Sequence, residues 1–252
     1  MNDLRSRLYL ATLSDDAPAL AEAFGLGLEL DHFCTAMNLD ADFDAWDARA
    51  RADMAHADRL ILHAPFAELT PCAVDPMIGQ VSRHRLLQAV NLCARYGIRR
   101  MVVHSGFVPR VYFRIWYVEK SSAFFRALLA DCPRDFELLI ENVLDPDPEV
   151  LLEMVQAIGD PRARLCLDVG HAHVASRQSV ADWIDLLSPL LAHLHIHDND
   201  GAFDAHLPPG RGSIGFPGLF DRIQSAAPRA TLTLECPDAA GCIAGLKDFG
   251  IL

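Results

Sequence analysis

The strongest constraint on the fold is an alternation of short apolar runs with longer amphipathic stretches along the chain. The runs have the length of strands, and most of the stretches between them have the length and spacing of helices. Helices are predicted over Pro76–Tyr96, Pro148–Ile158 and Val180–Leu187. An Asp-Pro pair opens each of the first two, and Gly97 closes the first. The predicted strands are Leu8–Leu13, Gly27–Leu30, Arg59–His63, Arg99–His104, Phe136–Glu141, Leu165–Asp168, His193–His197 and Thr231–Glu235.

Strands that are separated by helices imply a parallel sheet, in which each helix crosses from one strand to the next. The strand ends recur about every 30 residues, which is the length of one βα unit. The chain has 252 residues, 51% of them hydrophobic, and no linker or low-complexity stretch divides it. An open doubly wound sheet would more often have about five or six strands. We therefore predict one α/β domain over residues 1–252, a (β/α)8 TIM barrel.

Composition argues against several partners and locations. The formal net charge is −12, which disfavours nucleic acid, because binding DNA needs a positive surface. The first residues lack the apolar segment of a secretory signal, and no apolar run approaches the roughly 18 residues of a membrane span. The seven cysteines are scattered without a CxxC pair. They predict reduced thiols and a cytoplasmic location, rather than disulfides or a thiolate zinc site.

Six of the predicted strands, from the third onward, end in ionisable residues. In a barrel the carboxyl ends of all strands converge on one mouth. Carboxylates and imidazoles gathered there need a counter-charge, and a divalent cation such as Mn²⁺ or Zn²⁺ suits such mixed nitrogen and oxygen ligands. The residues are His63 in ILHAP, His104 in VVHSG, Glu141 in LIENV, Asp168 and His171 in CLDVGH, His195 in HLHIHD, and Glu235 in TLEC.

Each of these residues also has a purely structural explanation. A histidine at a strand end is, taken alone, more often a hydrogen-bonded loop residue, and Glu141 or Glu235 could cap a turn or pair with an arginine. These explanations would have to hold independently at all six strand ends. A shared site is therefore the better interpretation.

Seven sequence blocks, in this order, resemble the xylose-isomerase-like barrel superfamily. That superfamily contains sugar isomerases and epimerases, inosose dehydratases and the endonuclease IV type of apurinic-site nuclease. The resemblance extends from about residue 60 to residue 236, and the LDxGH and HLH…DxH…GxG blocks are its most specific parts. The blocks are ILHAPF, VVHSG, IEN, LDVGH, HLHIHDND, DAHLPPGRGSIGF and TLE.

The resemblance implies two alternative sets of metal ligands. The isomerase and epimerase members imply one metal ion. Two of its ligands, Glu141 and Glu235, would also act as the acid/base pair on either side of the sugar carbon. The full set of this single ion is Glu141, Asp168, His195 and Glu235. The nuclease members imply a cluster of three zinc ions. Their ligands would be His63, His104, Glu141, Asp168, His171, His195, Asp204, His206 and Glu235, and every one of these positions carries a suitable ligand type.

Two features near the predicted mouth suggest substrate contacts. Arg211 lies between Gly210 and Gly212, where look-alike sequences usually carry an acidic residue. It is either a solvated loop arginine or a guanidinium that grips a substrate phosphate or carboxylate. The segment Phe107–Lys120 either packs between helix and barrel or forms a lid over the mouth. In a lid, its aromatic residues would stack on a sugar, and these are Tyr112, Phe113, Trp116 and Tyr117. Its cations would meet an anionic group of the substrate, and these are Arg110, Arg114 and Lys120. The substrate-binding candidates are His63, His104, His171, Arg211 and Trp116.

Other polar residues are assigned by their position alone. Asp198 and Asn199 follow the seventh predicted strand and are expected to orient His195. Three histidines lie away from the predicted strand ends and are expected at the surface. They are His32, His56 and His84.

The sequence thus predicts a divalent-metal-dependent isomerase or epimerase that acts on a sugar or sugar phosphate by enediolate proton transfer. The alternative is an endonuclease IV-like multinuclear zinc phosphodiester hydrolase, and a third class is a sugar-binding barrel without turnover. The expected partner is a small-molecule substrate. Binding to nucleic acid or to a membrane is not expected, and assembly into a homo-oligomer is left open. The sequence specifies neither the sugar nor the identity and number of the metal ions.

Overall fold

Each apolar run forms a strand of one barrel, as predicted. The structure, a computed structural model, describes residues 4–252. Eight parallel strands close into a barrel in which neighbours in sequence are neighbours in space, and the last strand pairs with the first. The strands are β1 Leu8–Ala11, β2 Gly27–Leu30, β3 Leu60–His63, β4 Arg100–His104, β5 Glu137–Glu141, β6 Ala163–Asp168, β7 Leu191–Ile196 and β8 Thr231–Leu234.

Helices connect the strands around the outside of the barrel. They are α1 Ala17–Phe24, α2 Met37–Asp40, α3 Phe43–Asp53, α4 Pro76–Tyr96, α5 Arg114–Ala130, α6 Pro148–Ile158, α7 Val169–Ala175, α8 Val180–Leu187, α9 Phe216–Ala226 and α10 Ala239–Asp248, with a 3-10 helix at Leu4–Arg7. Local signals set the ends of α4: the Asp75 carboxylate accepts a hydrogen bond from the N–H of Met77, and Gly97 ends the helix at a φ of 71°. Helices α4, α6 and α8 have the predicted bounds.

The strand bounds agree less closely with the prediction. β1 ends two residues before the predicted end, at Ala11. β7 begins two residues earlier than predicted, at Leu191, and ends at Ile196. A register shift between Leu165 and Cys166 of β6 accounts for part of this difference. Such a bulge depends on the pairing with β6 and not on the sequence of β7 alone.

Two apolar layers support the barrel. The larger layer lies between strands and helices, and Trp183 of α8 and Phe216 of α9 are fully buried in it. The smaller layer fills the barrel interior and consists of Tyr9, Ile61, Val102, Leu139 and Cys166. Side chains two positions apart in a strand face the same side. The next inward positions after the last four of these residues are therefore His63, His104, Glu141 and Asp168, at the ends of their strands.

The described part of the chain, residues 4–252, includes no helix with both the length and the apolar character needed to cross a membrane. All seven cysteines are free thiols, as the sequence predicts. Six of them are buried, and Cys34 is half-buried.

Candidate functional site

The carboxyl ends of β3 to β8 bring the predicted polar residues to one mouth. Glu141, Asp168, His195 and Glu235, the set that the resemblance implies for a single metal ion, each offer a ligand atom within 4.8 Å of the others. Asn142 joins the ends of β5 and β6, because its side-chain amide pairs with both the N–H and the carbonyl of Asp168 at 2.9 Å. The backbone that presents two of the four side chains is therefore fixed.

His195 lies at the centre of this set and is fully buried. Its Nδ1 atom is 3.1 Å from Glu235 Oε2, 3.2 Å from Glu141 Oε1 and 3.8 Å from Asp168 Oδ2. Three carboxylates and one imidazole form a donor set that suits a divalent cation. Oε2 of Glu141 and Oε2 of Glu235 are buried and accept no hydrogen bond from the described residues. Buried oxygens of this kind normally have a partner.

Glu141 is surrounded by imidazoles. Its oxygens lie 3.4 Å from a ring nitrogen of each of His63, His104 and His171. Burial would raise the pKa of Glu141, but the charges of His195 and His104 hold it well below its usual range. Burial likewise would lower the pKa of His63, but the Glu141 carboxylate, 3.4 Å away, raises it to about 9. Burial lowers the pKa of His104 to about 3.

Glu29 on β2 is a site residue that the sequence prediction missed. It is fully buried, and its Oε1 accepts a hydrogen bond from His195 Nε2 at 2.9 Å, while its Oε2 accepts one from the Thr233 hydroxyl at 2.5 Å. A carboxylate behind an imidazole fixes which ring nitrogen carries the proton. Glu29 therefore leaves Nδ1 of His195 free for ligation at the mouth. The available signal was a charged residue at an inward position of an apolar run, GLEL.

Hydrogen bonds continue from Glu29 along the barrel axis, away from the mouth. Glu29 Oε2 lies 3.2 Å from His193 Nε2, and His193 Nδ1 lies 2.6 Å from the Thr231 hydroxyl. Arg100, at the start of β4, donates to the same hydroxyl at 2.7 Å. We call Arg100, Thr231, His193, Glu29 and His195 the polar column. It runs through the barrel interior from the first residues of the strands to the mouth.

A second group of potential ligands lies beside the first. The backbones of Asp198 and Leu207 pair at 2.7 and 2.8 Å, which closes the loop between them. This loop holds Asp204 and His206 at the mouth. Asp204 Oδ2 lies 3.2 Å from His171 Nε2 and 3.0 Å from His206 Nε2. The loop thus meets the short helix α7 that follows β6.

His197 completes this second group, although it was not among the predicted ligands. It is buried, its Nε2 lies 2.9 Å from Asp168 Oδ1, and its ring stacks on that of His206 with centroids 3.8 Å apart. A Cβ on Gly170 would collide with this ring, so a glycine is needed there. Nδ1 of His197 and Oδ1 of Asp204 are buried and have no hydrogen-bond partner within residues 4–252. The second group is His171, His197, Asp204 and His206, and a third is His63, His104 and Glu141.

Asp198 and Asn199 do not orient His195, so that prediction was wrong. The Asp198 carboxylate accepts hydrogen bonds from the N–H groups of the two glycines that flank Arg211, at 3.0 and 2.8 Å. Asn199 Oδ1 lies 2.7 Å from His173 Nδ1. Both residues therefore hold the loop after β7, and the carboxylate behind His195 comes from β2 instead.

The predicted substrate contacts occupy different environments. Arg211 is exposed, and its side chain makes no hydrogen bond or ion pair with another described residue. The indole N–H of Trp116 donates to the Cys72 carbonyl at 2.8 Å, and its half-buried ring packs on the core. Tyr117 is fully buried, so the lid interpretation is wrong for it. Phe113 is 86% exposed and remains available to a ligand.

His32 is buried, whereas the sequence predicted it at the surface. Its Nε2 lies 2.8 Å from Asp53 Oδ2, so it joins the loop after β2 to the end of α3. That partner is 21 residues away along the chain, which is why position alone did not reveal the contact. His56 and His84 are exposed, as predicted.

Sequence comparison identifies relatives of the chain. The family model described as "xylose isomerase-like TIM barrel" matches residues 21–247. The uncharacterized protein MJ1311 of Methanocaldococcus jannaschii is 26% identical over an alignment of 189 residues, which covers 70% of this chain and 64% of that relative. The match thus spans less than two thirds of the relative's length.

Structural comparison extends over the whole barrel. A D-tagatose 3-epimerase-like protein is 20% identical and has a TM-score of 0.76, with 96% of both chains covered. The TTHB071 protein from Thermus thermophilus, in a crystal soaked with ZnCl2, is 26% identical and has a TM-score of 0.75, with 96% of this chain and 97% of that one covered. The fold is therefore shared with both proteins.

Proposed function

Because the chain belongs to the xylose isomerase-like TIM barrel family, we propose that it is a divalent-metal-dependent isomerase or epimerase of a sugar or sugar phosphate. The observation that carries this proposal is the convergence of Glu141 and Glu235 on His195. The two carboxylates reach the same imidazole nitrogen, at 3.2 and 3.1 Å, from the ends of β5 and β8. A pair of carboxylates that face one space can take a proton from a substrate and return it.

The residues at this point fit a divalent cation. Glu141, Asp168, His195 and Glu235 supply one imidazole and three carboxylates, which suits Mn²⁺ or Zn²⁺. The buried oxygens of Glu141 and Glu235 that lack hydrogen-bond partners support the same assignment. A bound ion would polarise the carbonyl and neighbouring hydroxyl of a sugar.

Glu235 is the better candidate for the residue that takes the proton. Within the described residues, its carboxylate lies within 4 Å of one imidazole, that of His195, whereas Glu141 lies within 4 Å of four. A carboxylate with fewer partners is freer to reach a substrate carbon. Glu235 is also 9% exposed, while Glu141 is fully buried. Glu141 would accordingly return the proton from its fixed position, and Arg211 would meet a phosphate on the substrate.

The test is exchange of substrate hydrogen with solvent deuterium. With Mn²⁺ or Zn²⁺ added, a panel of ketoses and ketose phosphates is expected to include one that gains deuterium next to its carbonyl. Glu235→Gln keeps the shape and one oxygen, so it should retain metal and lose turnover by about 10²–10⁴. Glu119→Gln, on the exposed face of α5, is the control and should keep full activity.

Two outcomes would contradict the proposal. Absence of exchange with every ketose, in protein that is loaded with metal, would rule out the isomerase chemistry. Full turnover in Glu235→Gln would show that this carboxylate does not carry the proton. Metal content is measured in each variant, so that loss of the ion is not mistaken for loss of the base.

A second function is favoured by one observation, the three neighbouring groups of candidate ligands at the mouth. They include all nine residues that the nuclease resemblance implies, together with His197, and therefore support a multinuclear zinc phosphodiester hydrolase. His206→Ala separates the two functions. In a hydrolase it should remove zinc and abolish nicking of abasic DNA, whereas a mononuclear isomerase should keep its single ion. Wild-type protein with one ion and no nicking activity would exclude the hydrolase.

The net charge of −12 supports a small substrate over nucleic acid. The likeness in fold to a D-tagatose 3-epimerase-like protein makes ketoses the first substrates to test. The cytoplasmic location and a homo-oligomeric assembly remain predictions, as does the absence of a nucleic-acid partner.

A further inference from the structure

A cavity of about 720 Å³ opens at the end of the barrel opposite the mouth. Arg100, Glu137 and Thr231, which line it, each begin a strand. The segment 226–230 between α9 and β8 forms another wall. Sites for small molecules usually have volumes of about 300–1,000 Å³, so this cavity has room for a metabolite.

Three arginines and one glutamate line the cavity. The Arg100 guanidinium already has hydrogen-bond acceptors, because it donates to the Glu137 carboxylate and to the Thr231 hydroxyl, both at 2.7 Å. Arg164 and Arg229 differ, since neither side chain makes a hydrogen bond or an ion pair with the residues that the structure describes. Nε of Arg164 is moreover buried without a partner. Burying a donor without an acceptor is unfavourable, and an anion in the cavity would supply the acceptor.

A fourth arginine lies behind the wall of the cavity. Arg7 donates through Nη1 to the carbonyls of Ala227 and Ala230, at 3.3 and 2.7 Å, and both of these residues line the cavity. Nε and Nη2 of Arg7 are buried and have no hydrogen-bond partner within residues 4–252. The chain as a whole is strongly acidic, with a formal net charge of −12. A concentration of positive charge in one concave place is therefore not a consequence of composition.

We propose that this cavity binds a small phosphate-bearing anion. A guanidinium presents its donors in a planar fork that matches phosphate oxygens. Arg164 supplies such a fork from the barrel interior, and Arg229 supplies one from the exposed rim. Two arginines without acidic partners match the two negative charges of a phosphate dianion better than the single charge of a carboxylate. The site is separate from the proposed metal centre, because it lies at the opposite ends of the strands.

The test is titration of inorganic phosphate into the metal-loaded protein by isothermal calorimetry, with sulfate as a second probe. Replacing both Arg164 and Arg229 by Gln should weaken binding by about ten- to a hundredfold for each guanidinium removed. Arg134→Gln removes one positive charge, as each single replacement does, from an exposed residue of the loop before β5 that does not line the cavity, and it should bind phosphate like the wild type. Arg211→Gln removes the arginine that is proposed to meet a substrate phosphate at the mouth, and it should leave the phosphate binding at the cavity in place.

Equal weakening in Arg134→Gln and the double variant would show a general charge effect and overturn the proposal. Loss of binding in Arg211→Gln alone would assign the phosphate to the mouth and also overturn it. Unchanged binding in the double variant would do the same. If the double variant proves unstable, Arg229→Gln alone, at an exposed position, carries the test. A crystal structure with phosphate against Arg164 would confirm the site.

Discussion

Replacing Glu29 by glutamine tests the role of a carboxylate that touches no substrate. The change keeps the size of the side chain but removes the negative charge of the carboxylate, whose Oε1 accepts the hydrogen bond from His195 Nε2 at 2.9 Å. Without that charge, the imidazole loses its fixed orientation and part of its basicity. Metal affinity should fall by about 10–100-fold, as measured by competition with a chelating dye.

Glu22→Gln, on the exposed side of α1, is the matched control and should leave metal affinity unchanged. Equal affinity in Glu29→Gln and the wild type would show that Glu29 only fills space behind His195. Glu29 also shows why the site could not be read completely from the sequence. Its partners His193 and His195 are 164 and 166 residues away, so only the closed barrel brings them together.

At the scale of elements, Asp47 of α3 ties this helix to α4. Its carboxylate accepts hydrogen bonds from the Tyr96 hydroxyl at 2.6 Å, from Arg95 at 2.8 Å and from Arg51 at 3.0 Å. Burial would raise the pKa of Asp47, but these three donors lower it below its ordinary value. The resulting stabilisation is present above the unfolded-state pKa of about 3.9 and is lost as the pH falls through the folded-state pKa.

Asp47→Asn should therefore lower the free energy of unfolding by about 1–3 kcal/mol near neutral pH, because two arginines lose their anionic partner. The difference from the wild type should shrink as the pH falls below about 4. Urea unfolding of both proteins at neutral and acidic pH measures this difference in the free energy of unfolding. Asp44→Asn, an exposed residue of the same helix, should leave stability nearly unchanged. A difference for Asp47→Asn that stays constant over the whole range would contradict the role of its charge.

Helices could be predicted to the residue where their ends are set locally. Asp75, Pro76 and Gly97 bound α4 through contacts within a few residues of each end. Both ends of β2 and the carboxyl ends of β3 to β6 were also predicted to the residue. The ends of β7 were not, because they depend on partners in other strands, as the bulge in the pairing of β6 with β7 shows. The candidate ligands at the strand ends were found from the sequence because they follow apolar runs, in which an inward position repeats every second residue. Asp204 and His206, in the loop after β7, came from the resemblance alone. His197 ends the predicted strand His193–His197, but the resemblance implies a ligand role only for His195, so the sequence left His197 unassigned.

At the scale of the whole molecule, the proposed ion is expected to stabilise the fold as well as to serve catalysis. A ligand that binds only the folded state contributes about 2.7 kcal/mol at a hundredfold excess over its dissociation constant. A strong chelator should therefore lower the Tm by about 5–10 °C in a domain of this size. Added Mn²⁺ or Zn²⁺ should restore it. A Tm that does not respond to the chelator, in protein shown to lose metal, would contradict this coupling.

The polar column also limits what a protein engineer can do with this barrel. Its members contact one another in series, so a new active site that replaces His195 by an apolar residue would leave Oε1 of the buried Glu29 without its hydrogen-bond donor, while Oε2 keeps the Thr233 hydroxyl. Such a group is expensive to bury without a donor. Replacing Glu29 in turn removes one of the two partners of His193 Nε2, the other being the Thr233 hydroxyl at 2.9 Å. His193 also shares the Thr231 hydroxyl with Arg100. A graft that replaces His195 alone is thus expected to destabilise the barrel, so a design has to treat the five residues of the polar column together.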